Sequence, residues 1–136
     1  MKYPVIATQK NDKMVYVFSR EKDLKSTNTE ILKNQGFGGI RLIDSNGLVY
    51  EIKRAYKVRY LGLGGLSLFK KGRQILVDFE FRGTPTPIKL EDFKRDILER
   101  INSNKPFWQS SWGNVAELEK RVKSSSTFEH IARLIS

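Results

Sequence analysis

The chain contains no cysteine and only one histidine among its 136 residues. The first absence excludes a disulfide scaffold, a thiolate metal site and a cysteine nucleophile. The second excludes a multi-histidine metal centre and leaves His130 as the sole imidazole base. Long apolar runs are missing as well. The opening Met1-Lys2-Tyr3-Pro4 leads only into Val5-Ile6-Ala7, too short for a signal-peptide core or a membrane span. Acidic residues are the minority charge, 15 against 25 basic ones, for a formal net charge of +10. The expectation is one soluble domain over residues 1–136, cytoplasmic, with no membrane partner. A chain this long buries roughly two-thirds of its unfolded surface, so no metal or cofactor is needed to hold it and none is expected.

The positive charge is concentrated in the first two-thirds. Residues 1–60 hold 12 basic and 6 acidic residues, 61–90 hold 5 and 2, and 91–136 hold 8 and 7. The densest stretches are Lys53, Arg54, Lys57 and Arg59, then Lys70, Lys71 and Arg73. Such a field favours anionic partners: nucleic acid, an acidic protein surface or an anionic membrane. A solvated basic face that only aids solubility is the plainer alternative.

Apolar patterning divides the chain in two. Tyr3–Thr8 and Met14–Phe18 read as a hairpin around Asn11-Asp12-Lys13. Ser19–Ser26 reads as coil. A short helix is expected near 29–35, with Gly36 as its stop. Ile40–Ile43 and the long Leu48–Tyr60 read as strands joined by Asp44-Ser45-Asn46-Gly47, where Asp caps the turn and Gly takes the positive φ. A bulge is expected near Arg54-Ala55. Leu66–Phe69 is a short apolar piece. In Gln74–Arg82, Ile75, Val77, Phe79 and Phe81 alternate with polar residues, which indicates one buried and one wet sheet face. Thr84-Pro85-Thr86-Pro87 reads as a stiff linker outside the sheet. Helical spacing then takes over at Leu90, Phe93, Ile97, Leu98 and Ile101. Asn102–Pro106 ends that helix, and boxes at Asn114–Glu117 and Ser126–Glu129 start two more. Strands first and helices last predict an α+β domain: an antiparallel sheet of about five or six strands, with three helices from the C-terminal third packed on one face.

Several residue sets invite chemistry, and each has a structural alternative. The glycine clusters Gly36–Gly39 and Gly62–Gly65 could cradle an anion, but neither has the Lys-Ser/Thr ending of a phosphate loop; two bends leading into strands suffice. Asp44 with Glu51-Ile52-Lys53 is similar to the Asp…Glu-x-Lys signature of restriction-like nucleases, yet Asp44 would cap its turn in any hairpin. Asp78 and Glu80 lie two apart on a strand, as acid–base pairs can, but Arg82 beside them makes a charge ladder. His130 lacks an identifiable nucleophile and suits a helix surface. Phe107, Trp108 and Trp112 either pin a loop to the core or anchor a partner, as Trp does at interfaces. Tyr56 and Tyr60 among Lys53, Arg54, Lys57 and Arg59 either face solvent on an amphipathic strand or stack bases along a phosphate track.

The layout of Tyr3-Pro4-Val5-Ile6-Ala7, Val15-Tyr16-Val17-Phe18, the Ile43–Leu48 hairpin, Ile88–Lys94 after a late strand, and the closing Ile131-Ala132-Arg133-Leu134-Ile135 resembles small bacterial immunity proteins, the antitoxins of polymorphic and contact-dependent growth inhibition toxins. The resemblance implies a non-enzymatic protein that binds and blocks a cognate toxin. It carries no catalytic signature. Immunity proteins against nucleases are often acidic, whereas this chain is basic, so the toxin surface it meets should be acidic or lie away from a nucleic-acid cleft. The residues expected to bind the partner are Lys53, Tyr56, Lys57, Arg59, Lys70, Arg73, Trp108 and Trp112. The alternatives are a nucleic-acid-binding module on the same basic strand and, third, a metal-dependent nuclease.

Overall fold

A computed structural model of the chain describes residues 1–34, 36–61 and 73–136. It is an α+β fold in the order β1 (Val5–Gln9), β2 (Tyr16–Phe18), α1 (Glu21–Lys25), β3 (Ser26–Asn28), α2 (Thr29–Asn34), β4 (Ile40–Ile43), β5 (Leu48–Tyr60), β6 (Gln74–Phe81), β7 (Thr86–Pro87), α3 (Leu90–Ser103), α4 (Lys105–Trp112), α5 (Val115–Ser124) and α6 (Phe128–Ile135). Six strands run in one antiparallel path, β2-β1-β4-β5-β6-β3, and β7 pairs β5 beside it. The helices of the C-terminal third pack together on one face, as the pattern predicts.

The sheet is buried on both faces at its N-terminal end. Val5, Ile6 and Ala7 are consecutive and all buried, as are Leu42 and Ile43. Ile6, Ile43 and Val49 face α3–α6 through Phe93, Ile97, Ile101, Leu118, Val122 and Ile131. Val5, Ala7, Leu42 and Ile52 join Leu24, Ile75, Val77 and Phe79 in a second core on the other face. One buried and one wet face therefore holds for β6, where Ile75, Val77 and Phe79 are covered, but not for β1 and β4. The second core exists because β6 and β3 continue the sheet past β5, where Ser26 and Thr27 pair with Leu76 and Ile75, and because α1 adds Leu24 to the same cluster.

Local chemistry accounts for the boundaries. Asp44 is buried; its carboxylate accepts the N–H groups of Asn46 and Leu48, both at 3.0 Å, and that of Lys2 at 3.0 Å. Gly47 sits at φ +79°, and a Cβ there would lie 2.5 Å from the Phe128 ring, so this turn also seats α6. Gly36, at φ +65°, donates to Ile31 O and ends α2 as expected. The Asn114 side chain caps α5 by accepting from Glu117 N.

Four expectations need correction. Ser19–Ser26 is not coil: α1 occupies Glu21–Lys25, held by Lys25–Glu21 at 2.6 Å, and Ser26 opens β3. Thr86–Pro87 does join the sheet: Thr86 pairs Val49 and Pro87 pairs Leu48, along the same edge of β5 that β6 occupies, and a proline is tolerated there because its missing N–H is not called on. The C-terminal helices are four, since α4 begins directly after α3 with Pro106 in its first turn, where a proline costs no hydrogen bond. Finally, α6 is capped by Thr127, which accepts from His130 N at 3.0 Å, one residue later than the Ser126 box. The Leu66–Phe69 piece and the second glycine cluster lie outside the described residues.

Candidate partner-binding surface

The 13 residues of β5 pass through two environments. Its first turn of pairing lies between two neighbours: Val49, Tyr50 and Glu51 pair with Ile43, Leu42 and Arg41 of β4, while Leu48 and Val49 pair with β7 on the other side. The β4 side ends at Ile52, whose carbonyl accepts from Gly39 N. Gly38 passes so close that a Cβ on it would sit 3.2 Å from Lys53 O. Beyond that point β5 pairs only with β6 among the described residues. Apart from half-buried Ala55, every residue from Lys53 to Tyr60 is exposed.

Two register shifts shape this outer half, between Ile52 and Arg54 and between Lys57 and Arg59. Lys57 lies opposite Val77, whereas Arg59 lies opposite Leu76. Residues opposite each other on antiparallel strands share a face. The second bulge therefore sends Lys57 and Arg59 to opposite faces, although simple alternation puts them on one. The sequence pointed to a bulge near Arg54-Ala55; the second one carries no comparable local signal.

The charges along the strand differ in their partners. Lys53 and Arg54 both reach Glu80, and Arg82 pairs Glu51. Asp78 pairs Lys25 and accepts from Phe79 N at 2.8 Å. Asp78 and Glu80 are thus members of a charge ladder. The Phe79 amide, then Lys25, hold the Asp78 carboxyl below its ordinary value despite partial desolvation. Further out the carboxylates stop. Lys57 Nζ lies 4.2 Å from the centre of the Tyr60 ring, and the Arg73 guanidinium lies 5.2 Å from it. The hydrogen bond from Lys57, with the charge of Arg73 behind it, lowers the Tyr60 pKa from its ordinary value. The Arg73 backbone is fixed by Thr29, with Thr29 N donating to Arg73 O at 2.9 Å and Arg73 N to Thr29 Oγ1 at 3.0 Å. On the other face, Arg59 and Lys22 border a cleft of about 430 Å³ with Val58, Leu61 and Leu76. The acids of that cleft, Glu21 and Asp78, are already bound to Lys25. Among the described residues no carboxylate lies within ion-pair distance of Lys22, Lys57, Arg59 or Arg73. Tyr56 (41% exposed, beneath Arg54) and Val58 (52%) add apolar surface.

The tryptophans lie elsewhere. Trp108 is 3% exposed in the core beneath the helices, and its Nε1 has no partner among the described residues. Trp112 is half-buried against the same core; its Nε1 donates to Leu134 O at 3.0 Å and Arg121 covers its ring. Both rings pin α4 to the bundle, on the opposite side of the sheet from the core that contains Val77. Of the expected binding residues, the structure gathers Lys57 and Arg73 around Tyr60, turns Arg59 to the other face beside the cleft, sets Tyr56 under Arg54, ties Lys53 to Glu80, separates Trp108 and Trp112 from them, and does not describe Lys70. Lys22, Val58 and Tyr60 complete the group. The alternation around Tyr60 hinted at its place, but nothing local points to Lys22, which arrives through the β3–β6 pairing.

The other candidate chemistries are not assembled. Asp44 spends its oxygens on backbone amides, Glu51 and Lys53 are bound to Arg82 and Glu80, and no group of acids and histidine able to hold a metal occurs among the described residues. The first glycine cluster directs its Gly36 and Gly39 N–H groups to backbone carbonyls. His130 is exposed on α6. Among the described residues no helix is long and apolar enough to cross a membrane. No family model, no curated protein sequence and no solved structure matches the chain.

Proposed function

We propose that this chain is a non-enzymatic binding protein that captures an acidic protein surface with the outer end of β5 and β6, and that it acts in the cytoplasm as an immunity protein neutralising a cognate bacterial toxin. One observation carries the reading: Lys57 and Arg73 flank Tyr60 on one face, Arg59 and Lys22 border the cleft on the other, and none has a carboxylate partner among the described residues. On the C-terminal helices every arginine is matched, in Arg95–Asp92, Arg100–Asp96, Arg121–Glu117 and Arg133–Glu129. Unmatched cations beside exposed Tyr56 and Val58 supply what an encounter surface needs: long-range steering from the charge, then apolar area to bury. The layout described above supports a toxin as the partner. The test is co-production with the protein encoded in the adjacent reading frame. Wild type should restore growth, and Lys57→Glu with Arg59→Glu and Arg73→Glu should abolish rescue while the fold persists. Undiminished rescue by that triple variant overturns the assigned surface.

A second reading has its own observation. Arg54 over Tyr56 and Lys57 over Tyr60 interleave cations with rings, an arrangement suited to stacking bases along a phosphate backbone. It predicts retention on single-stranded nucleic acid that falls steeply with salt. Flow-through at physiological salt removes this reading and leaves the first.

A further inference from the structure

The outer half of β5 offers more than side chains. A strand paired on one side presents alternate peptide groups on the other. Register with β6 is regular over Arg54–Lys57, which lie opposite Glu80, Phe79, Asp78 and Val77. Leu61 N donates to Gln74 O, so alternation turns the peptide groups of Tyr60 to the opposite edge. Among the described residues nothing pairs with that edge after Ile52.

The side chains along the edge decide what it can accept. A second copy of the chain, paired edge to edge, would bring one basic stretch of Arg54, Lys57 and Arg59 against another. Like charges directly opposite destabilise a sheet. An acidic strand reverses that sign: with carboxylates at alternate residues it sets them all on the Lys57 face, and its β-branched residues lie on the opposite face beside Tyr56. The bulges on either side of Arg54–Lys57 keep the regular edge short, so the added segment is short too.

We infer that the edge of β5 from Arg54 to Tyr60, unpaired among the described residues, accepts a short, extended, acidic segment of the partner as an additional β-strand. This rests on the acidic-partner reading and names its mode of contact. Main-chain hydrogen bonds would supply affinity and the cations would select the sequence, as in other strand-addition complexes.

The test alters the probe and leaves the protein intact. The full chain is titrated with a blocked alternating Glu-Val heptapeptide, its Lys-Val counterpart, and the Glu-Val peptide N-methylated at alternate backbone positions. Amide hydrogen exchange is followed throughout. The Glu-Val peptide should bind at least about ten-fold more tightly than either control, a free-energy difference of one decade in Kd. Outward-facing amides within Arg54–Tyr60 should slow, with those of α3–α6 unchanged. Equal binding of the N-methylated peptide overturns strand addition while leaving the acidic-partner reading in place. Protection of another edge, or the same protection from a single-stranded oligonucleotide, also overturns it. Failure of the Glu-Val peptide to bind while the toxin is still captured overturns the mode alone; loss of toxin capture as well removes the reading on which it rests.

Discussion

The two halves of β5 belong to one strand and share little else. From Leu48 to Ile52 the strand has neighbours on both edges and core on both faces. From Lys53 to Tyr60 it has one neighbour among the described residues and mostly exposed side chains. The first half is where folding free energy is gained, because apolar area leaves water on both faces. The second half adds little to stability but holds, through β6 and the Thr29 contact with Arg73, cations and peptide groups that have no partner among the described residues. A single strand can therefore be buried foundation at one end and exposed surface at the other. The helical third makes the same point from the opposite side: its charges are largely satisfied by ion pairs one helical turn apart, so it covers the sheet without advertising a charge.

Substitutions should break this contrast in a graded way. The largest loss is expected from Ile52→Ala, at the last residue of the inner half. A fully buried isoleucine cut to alanine costs about 2–5 kcal/mol, whereas Val58→Ala, further out on the same strand and exposed, should stay within about 0.5 kcal/mol. Urea unfolding of both variants measures the gradient, and equal losses would mean that the halves are not distinct. Gly47→Ala comes next. It combines a positive φ with a Cβ pressed on Phe128, and such backbone strain costs about 1–3 kcal/mol; thermal unfolding should show the loss, with α6 the first element to gain hydrogen exchange.

The outer half calls for changes that leave stability nearly alone. Lys57→Gln should move the Tyr60 phenol up toward its ordinary value of 10.0, since the hydrogen bond from Lys57 is the leading cause of its lowering. An ultraviolet titration against a Tyr60→Phe control reads this directly, and an unmoved titration would show that Lys57 does not hold the ring. The smallest effect concerns Asp78. Its carboxyl is lowered in the folded protein relative to 3.8, so its ionised form favours folding above that pH and the contribution disappears as pH falls through the folded value. Asp78→Asn should therefore be slightly less stable than wild type at neutral pH, and the difference should close in acid. A gap that persists at low pH would assign the effect to packing instead.

Much of the architecture could be read along the chain because its causes are local. The alternation of Gln74–Phe81 reports a period of two, the recurrence of Phe93, Ile97 and Ile101 reports a helix, and Asp44–Gly47 carries its own turn chemistry. The elements that escaped are short ones whose formation depends on distant partners. Ser26–Asn28 becomes a strand only because β6 is beside it, and Thr86–Pro87 only because β5 is. α4 escaped for a different reason: a proline that ends one helix also opens the next. The candidate site was half legible. Its basic strand stood out in composition, but the role of Trp108 did not, since a ring in the core and a ring at an interface look alike in sequence.

The sequence by itself determined the α+β order, the turn at Asp44–Gly47, the basic bias of the first two-thirds and the absence of thiol or multi-histidine chemistry, because residue type and spacing suffice for each. Only the tertiary structure decided which cations remain without carboxylates. Ion pairing depends on distances across strands, and those follow from register. The bulge between Lys57 and Arg59, the stop of β4 at Ile52 and the arrival of Lys22 beside Arg59 are all consequences of pairing between segments far apart in the chain. Those contacts convert a net charge into a surface with two sides and a direction.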